Sequence, residues 1–331
     1  MEQLIQGASM PLVVLMLIVG FVFLIKGADF FVEGSSSIAK KLQVPSIIIG
    51  LTIVAMGTSL PETAVSVTAS MVNNNALAVS NVIGSNIFNL MFVIGVCSIL
   101  TPIAVQRETV VRDIPLSVIC ALLLAGLGIL AVGDKETYIL GHLDGVIFLV
   151  LFAGYIILMI RSALKARAEG KEIAIEGEED LKVLSYPKSI LCIVGGAIAI
   201  AIGGDLTVDT ASRIAVELGM SQTLVGLTIV SIGTSLPELV TSIVAARKNE
   251  VDMAVGNAVG SNIFNILMVL GIASAINPIG LLTENLIDIM ILVGFSLLVW
   301  AFAATKRKIT RKEGVAMVVL YLVYAIYIIL R

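Results

Sequence analysis

GLTIVAMGTSLPE at residues 50–62 returns as GLTIVSIGTSLPE at residues 226–238, identical at eleven of 13 positions. A second pair follows: GSNIFN stands at 84–89 and again at 260–265. Both pairs lie at one offset, 176, which also relates Asp29 to Asp205, Pro102 to Pro278 and Glu108 to Glu284. The repeat is strongest at polar and helix-breaking positions, not in the apolar filler between them. Duplication kept only for packing would show the reverse.

The filler itself sets the solvent. Hydrophobic residues make up 58% of the 331 and charged ones 14%, with mean hydropathy +1.05; a water-exposed domain carries about 25% charge. Apolar runs near the length of a bilayer crossing recur along the chain, and lipid forces such runs to be helical because every backbone group must bond internally. The reading is an all-α integral membrane protein with ten transmembrane helices, at about 11–38, 43–71, 76–101, 112–132, 138–161, 188–217, 222–246, 252–277, 284–304 and 313–330. The first span is expected to leave the apolar core near Lys26 and go on as an interfacial stretch. Its amino-terminal side, Met1 to Pro11, lacks the positive charge of a cleaved signal, so it reads as a retained helix.

Each copy holds five spans. An odd number makes the second copy enter the membrane from the opposite side, giving two inverted five-helix repeats about a pseudo-two-fold axis in the membrane plane. The expected organisation is a first repeat at 1–161, a polar cytoplasmic linker at 162–187 and a second, inverted repeat at 188–331. Orientation follows from Lys and Arg. With the amino terminus outside, 18 of the 21 basic residues fall inside and only Lys135, Arg213 and Arg331 outside. Both termini are therefore expected outside the cell (inner) membrane.

Several classes drop out. A net charge of −3 without basic blocks excludes nucleic acid as a partner. Cys97, Cys120 and Cys192 lie in apolar segments without paired spacing, so they read as small packing residues. The single histidine, His142, sits at a span end, too far out to serve a serine nucleophile in mid-membrane. Gly203-Gly204-Asp205 is only a partial match to an aspartyl intramembrane protease. The protein is not expected to be an enzyme, and no cofactor or obligatory protein partner is indicated. A passive channel would need a continuous pore and would show steady single-channel currents.

The chemistry lies in the repeat. Glu62 and Glu238 fall deep inside apolar helices, where an ionisable group is costly and marks a functional site. No lysine or arginine stands at neighbouring turns, so a bound cation is the expected partner. Pro61 and Pro237 lack an N–H and free carbonyls near Gly57 and Gly233. Thr58 and Thr234 precede their glutamates by four residues and are expected on the same face; Ser59 and Ser235 lie on a neighbouring row. Ser59 to Glu62 and Ser235 to Glu238 also read as capping boxes that start a half-helix. In the next span Ser85 faces with Asn89, and Ser261 with Asn265, each amide offering a carbonyl oxygen. Hydroxyl, carbonyl and carboxylate oxygens are the hard ligands that Ca²⁺ and Na⁺ prefer. Asn81, Asn86, Asn257 and Asn262 read as supporting or helix-contact residues; Asp29, Asp205, Glu108, Glu284 and Asp288 read as interfacial.

GTSLPE followed by GSNIFN, twice, resembles the alpha-repeats of the cation/calcium exchanger superfamily, above all its compact prokaryotic sodium/calcium exchangers. The resemblance covers essentially the whole chain. It implies an antiporter that exchanges Na⁺ for Ca²⁺ by alternating access, with the ions at the centre of the second, third, seventh and eighth spans and the long first and sixth spans sliding as a gate. By position the family's ligands fall on the backbone carbonyls of Ala55 and Ser231 and on Thr58, Ser59, Glu62, Ser85, Asn89, Thr234, Ser235, Glu238, Ser261 and Asn265. Some members carry Asp where Asn265 stands, and in the potassium-dependent branch that Asp supports K⁺ coupling, so Asn265 points to K⁺-independent exchange. Two central carboxylates match one Ca²⁺; by family implication three Na⁺ replace it, making Ca²⁺ extrusion electrogenic. An H⁺/Ca²⁺ antiporter of the same fold is the rival reading, with the carboxylates carrying protons instead of Na⁺.

Overall fold

The computed structural model describes residues 5, 7–71, 75–130, 138–168, 183–220, 229, 231–305 and 307–330. Long helices dominate: α1 Met10–Leu42, α2 Ser46–Thr58, α3 Leu60–Met71, α4 Leu77–Leu100, α5 Thr109–Gly128, α6 His142–Ala168, α7 Tyr186–Glu217, α8 Leu236–Arg247, α9 Val251–Ile276, α10 Thr283–Ala304 and α11 Arg311–Leu330. Eight of these are long and apolar enough to cross a bilayer singly, and α2 and α3 meet the same test together as a bent pair. The remaining expected span, about 222–246, lies partly outside the described residues; α8 and the turn Ser231–Gly233 are its described part. Helix α6 runs on past residue 161 to Ala168, and α7 begins at Tyr186.

Local sequence explains the ends. Pro11 and Pro187 stand in the first turns of α1 and α7, where the missing N–H costs nothing. Gln43 (φ 55°) and Gly219 (φ 93°) close the same two helices in the left-handed conformation. The next amides, Val44 and Met220, reach back to the carbonyls of Ala39 and Ala215, both at 3.0 Å, which satisfies otherwise orphaned acceptors.

Burial sorts the helices into a centre and a rim. In the most apolar window of α4 and of α9, 78% of residues are buried by protein, against 22% in α1. Gly256 and Gly260 of α9 let it lie against α2: a Cβ on Gly256 would meet the Ile47 carbonyl at 2.6 Å. The outer faces of α1 and α7 carry Leu15, Val22, Leu191 and Ile198, exposed as lipid-facing side chains should be.

The rim helices α1 and α7 pack on each other through glycines seven residues apart, Gly20, Gly27 and Gly34 against Gly203, Gly196 and Ser189. A Cβ on Gly196 would sit 2.7 Å from the Gly27 carbonyl oxygen, so only glycine lets the backbones approach this closely. Past Lys26 the sequence reading has α1 run on as an interfacial stretch. It continues unbroken, and Phe31, Val32, Ser35, Ser36 and Ala39 are buried. Asp29 is likewise not merely solvated: the Lys248 ammonium lies 3.3 Å from its carboxylate and donates to its backbone carbonyl at 2.9 Å. Asp288, expected at an interface, is buried.

The two repeats interlock. Strand β1 (Ile103–Ala104) pairs antiparallel with β4 (Lys308–Ile309), and β2 (Tyr138–Leu140) with β3 (Ile279–Leu281). In both pairs one strand follows the third span of its repeat and its partner precedes the last helix of the other. Helix α6 packs on α9, and α11 on α4, so each repeat's last helix covers the centre of the other.

Two outcomes check this packing. Ala104 and Lys308 are directly opposed and exposed, so Ala104→Cys with Lys308→Cys should form a disulfide that retards the protein on a non-reducing gel after cleavage within 169–182. Gly196→Leu should lower thermal stability in detergent by about 1–3 kcal/mol. Gly195→Leu, whose Cβ would meet nothing within 4 Å, should leave stability unchanged.

Candidate ion site

The α2–α3 bend is where the sequence stops being a regular helix. Thr58 ends α2 and Ser59 turns the chain (φ −84°, ψ 11°); α3 starts at Leu60 with Pro61 in its first turn, and the axes diverge by 49°. Pro61 cannot donate to the Gly57 carbonyl, so the helix cannot run through. The second copy does the same thing: Ser235 has φ −95° and ψ 6°, and α8 starts at Leu236 with Pro237 beside it. Gly57 and Gly233 are required at these bends because α1 and α7 press on them. An added Cβ would meet the Phe31 ring at 2.6 Å and the Val208 side chain at 2.1 Å.

The bends aim the serines across the pseudo-two-fold axis. Ser59 Oγ donates to Glu238 Oε1 at 2.9 Å, and Ser235 Oγ to Glu62 Oε1 at 3.1 Å. The same two oxygens accept from the neighbouring helices, Ser85 Oγ to Glu62 at 3.5 Å and Ser261 Oγ to Glu238 at 3.4 Å. Ser235 and Ser85 also share a hydrogen bond of 2.9 Å. Six of the expected ligands thus form one cluster, and all six are buried. Hydrogen bonding is not complete. Glu62 Oε2, Glu238 Oε2, Asn89 Oδ1 and Asn265 Oδ1 are buried without a hydrogen-bond partner. No ion pair among the described residues includes Glu62 or Glu238.

Other expected ligands are placed differently. Neither serine caps its own helix: Ser235 makes no side-chain cap bond, and the Ser59 hydroxyl is spent on Glu238. The capping-box reading gives way because a carboxylate acceptor is the stronger partner. Thr58 and Glu62 lie on opposite sides of the break at Ser59. Thr58 Oγ1 donates to Asn257 Oδ1 at 3.0 Å and Thr234 Oγ1 to Asn81 Oδ1 at 3.2 Å. The Ala55 carbonyl already accepts the Ser59 amide at 3.0 Å. Ser231 opens a short helical turn, and its side chain lies outside the described residues.

A second ring of amides supports the first. Asn81 Nδ2 donates to the Glu62 carbonyl at 3.4 Å and to Ser66 Oγ at 3.0 Å; Asn257 repeats this with Glu238 and Ser242 at 3.3 and 3.0 Å. Each therefore ties the glutamate helix of its own repeat to a threonine of the other. Asn86 and Asn262 face each other on the axis, each donating Nδ2 to the other's backbone carbonyl, at 3.2 and 3.0 Å. Sequence spacing grouped these asparagines with helix contacts but gave no sign of the cross-repeat bonds. The signal available was that every one of them recurs at the offset of 176. Asn89 lies in the first turn of the π-helical segment Phe88–Val93 and Asn265 opens the segment Asn265–Val269, and such a wide turn commonly marks a functional position in a helix.

The donor set is two carboxylates with hydroxyls and amides, all oxygen chemistry suited to hard cations. Among the described residues no group of three or more His, Cys, Asp or Glu could hold a metal.

Comparison with known proteins agrees in extent and in kind. A family profile described as sodium/calcium exchanger protein matches residues 12–161 and 188–330. CaxA of Alkalimonas amylolytica, provisionally named an antiporter, is 39% identical over 313 residues, covering 93% of this chain and 95% of that protein. The sodium/calcium exchanger MaX1 of Methanosarcina acetivorans is 32% identical over 342 residues, covering 94% and 97%. Solved structures of the sodium-calcium exchanger NCX_Mj superpose with a TM-score of 0.78 at 33% identity, covering 95% of this chain and 98% of that one.

If the crossed serines hold the carboxylates, Ser59→Ala and Ser235→Ala should each weaken Ca²⁺ binding about tenfold, the worth of a hydrogen bond to a charged group. Calorimetric titration of the purified protein measures this. Ser98→Ala, remote from the cluster and bonded only to its own helix at Ile94, should bind as the parent does.

Proposed function

The chain belongs to the sodium/calcium exchanger protein family, a membrane-embedded cation exchanger, and from that premise we propose that it extrudes Ca²⁺ in exchange for Na⁺ by alternating access, without K⁺. The carrying observation is the pair of buried glutamates, each hydrogen-bonded by a serine of the opposite repeat and each with one carboxylate oxygen unpartnered. Two such charges out of water cost several kcal/mol apiece unless a cation offsets them. One Ca²⁺ does so with no charge left over. Na⁺ competes for the same oxygens, so one set of ions is carried per half-cycle. Three Na⁺ would leave one net positive charge, which makes the exchange electrogenic.

The ligands in this reading are Thr58, Ser59, Glu62, Ser85 and Asn89 with their counterparts Thr234, Ser235, Glu238, Ser261 and Asn265, and the carbonyls of Ala55 and Ser231. The Ala55 carbonyl ligates by its second lone pair, the first being taken by the Ser59 amide. Helices α1 and α7 act as the gate. Their glycine seam makes them one body, and they touch the site's bends through Phe31 at Gly57 and Val208 at Gly233. A shift of this pair changes what covers each bend while α4 and α9, the most buried of the long helices, stay fixed. The protein works in the inner membrane with both termini outside, so that the Na⁺ gradient drives Ca²⁺ outward.

Proteoliposomes loaded with Na⁺ and diluted into Na⁺-free buffer should take up ⁴⁵Ca²⁺. Glu62→Gln and Glu238→Gln should each cut this uptake at least about a hundredfold, since removing one buried charge partner costs about 3–5 kcal/mol. Undiminished uptake in both variants would remove the glutamates from the site. With pH clamped on both sides, uptake should follow the imposed Na⁺ gradient; uptake that follows an imposed pH gradient instead would make the protein an H⁺/Ca²⁺ antiporter.

A further inference from the structure

Among the described residues the centre keeps its two-fold symmetry in the serine–glutamate bonds and departs from it at the Ser235–Ser85 bond, which Ser59 and Ser261 do not repeat, and at one pair of amides. Asn265 Nδ2 donates to Asn86 Oδ1 at 3.1 Å. The offset of 176 turns this bond into one from Asn89 to Asn262. That mate is not made: Asn89 Nδ2, Asn89 Oδ1 and Asn262 Oδ1 are all buried without a partner. The backbones around them do match, since Asn86 and Asn262 make the same reciprocal bonds to each other's carbonyls.

A held amide and a loose one differ chemically. With its Nδ2 tied to Asn86, Asn265 has one defined direction for Oδ1, and that oxygen is unpartnered. A cation needs the oxygen end of an amide; the NH₂ end repels it. Asn86 therefore selects which end of Asn265 a cation meets. Asn89 has no such holder in this conformation, and the atom that would hold it, Asn262 Oδ1, is unpartnered.

We infer that Asn86 and Asn262 are positioning residues for ion binding, gripping Asn265 and Asn89 respectively, and that the grip changes hands as the carrier turns over. In an inverted repeat, exchanging the conformations of the two halves gives a state of similar packing that opens to the other side. In that state the Asn89–Asn262 bond is made and the Asn265–Asn86 bond is broken. The inference rests on the proposed role of Asn89 and Asn265 as ligands.

A double-mutant cycle on ⁴⁵Ca²⁺ uptake by the full chain in proteoliposomes tests it. Asn86→Ala should raise the Ca²⁺ half-saturation about five- to tenfold, the value of one hydrogen bond, with the maximal rate little changed. In an Asn265→Ala background the same change should have less than about a twofold effect. Asn262→Ala should couple in the same way to Asn89→Ala and not to Asn265→Ala. If Asn86→Ala fails to fold, Asn86→Ser removes the amide oxygen but keeps a polar group on the axis, and it carries the same cycle. Equal effects of the Asn86 change in both backgrounds would overturn the inference while leaving exchange intact. Absence of Na⁺-driven uptake in the parent protein would instead overturn the functional reading itself, and the inference with it.

Discussion

Two carboxylates held close together in a protein interior, each by a hydroxyl from the other half of the chain, is the constraint around which the rest is arranged. Burying either charge alone is prohibitive. Burying both in one cluster creates a demand for positive charge that the described ion pairs do not meet. The helix breaks at Ser59 and Ser235 follow from that demand. A straight helix would keep each serine on its own repeat, whereas the bends carry each hydroxyl across the axis. Proline enforces the break, and glycine at 57 and 233 lets the rim helices close over it.

The surrounding amides make the cluster rigid without making it crowded. Asn81 and Asn257 each bind a glutamate's backbone carbonyl and accept a threonine hydroxyl from the opposite repeat. The glutamate helices are thereby fixed relative to one another through polar bonds in low dielectric, where such bonds are strong. Mobility is left to the periphery. The α1–α7 pair carries few buried residues in its most apolar stretches and is bound to itself by a smooth seam of glycines. One polar tether to the centre stands out, Lys248 on Asp29.

Much of the fold was legible because membrane helices write themselves in long apolar runs, and because the duplicated motifs gave the symmetry directly. The burial of Glu62 and Glu238 at matching places could be read from its cost and the offset; that they meet at one centre with Ser59, Ser85, Ser235 and Ser261 was implied by the family resemblance. What could not be read was direction. Spacing along a helix put Thr58 beside Glu62, but spacing loses its meaning across a break, and the threonine turned to Asn257 instead. The capping reading of Ser59 failed for the same reason: a local rule lost to a charged acceptor more than a hundred residues away. Past Lys26 the charge suggested water, and the packing that encloses Ser35 and Ser36 there could not be read from it.

The short strands carry a lesson about synthesis. Ile103 finds its partner only at Ile309, and Tyr138 only at Leu281. When the ribosome has finished the first repeat, its strand edges and the groove of α4 that α11 will fill are still waiting for a chain not yet made. The nascent protein must therefore hold these pairings in reserve until the second repeat is made, and contacts of such long sequence separation form slowly. Closing either ribbon waits on a strand of the second repeat, so a ribosome stalled before Lys308 would leave Ile103 without the edge it pairs with.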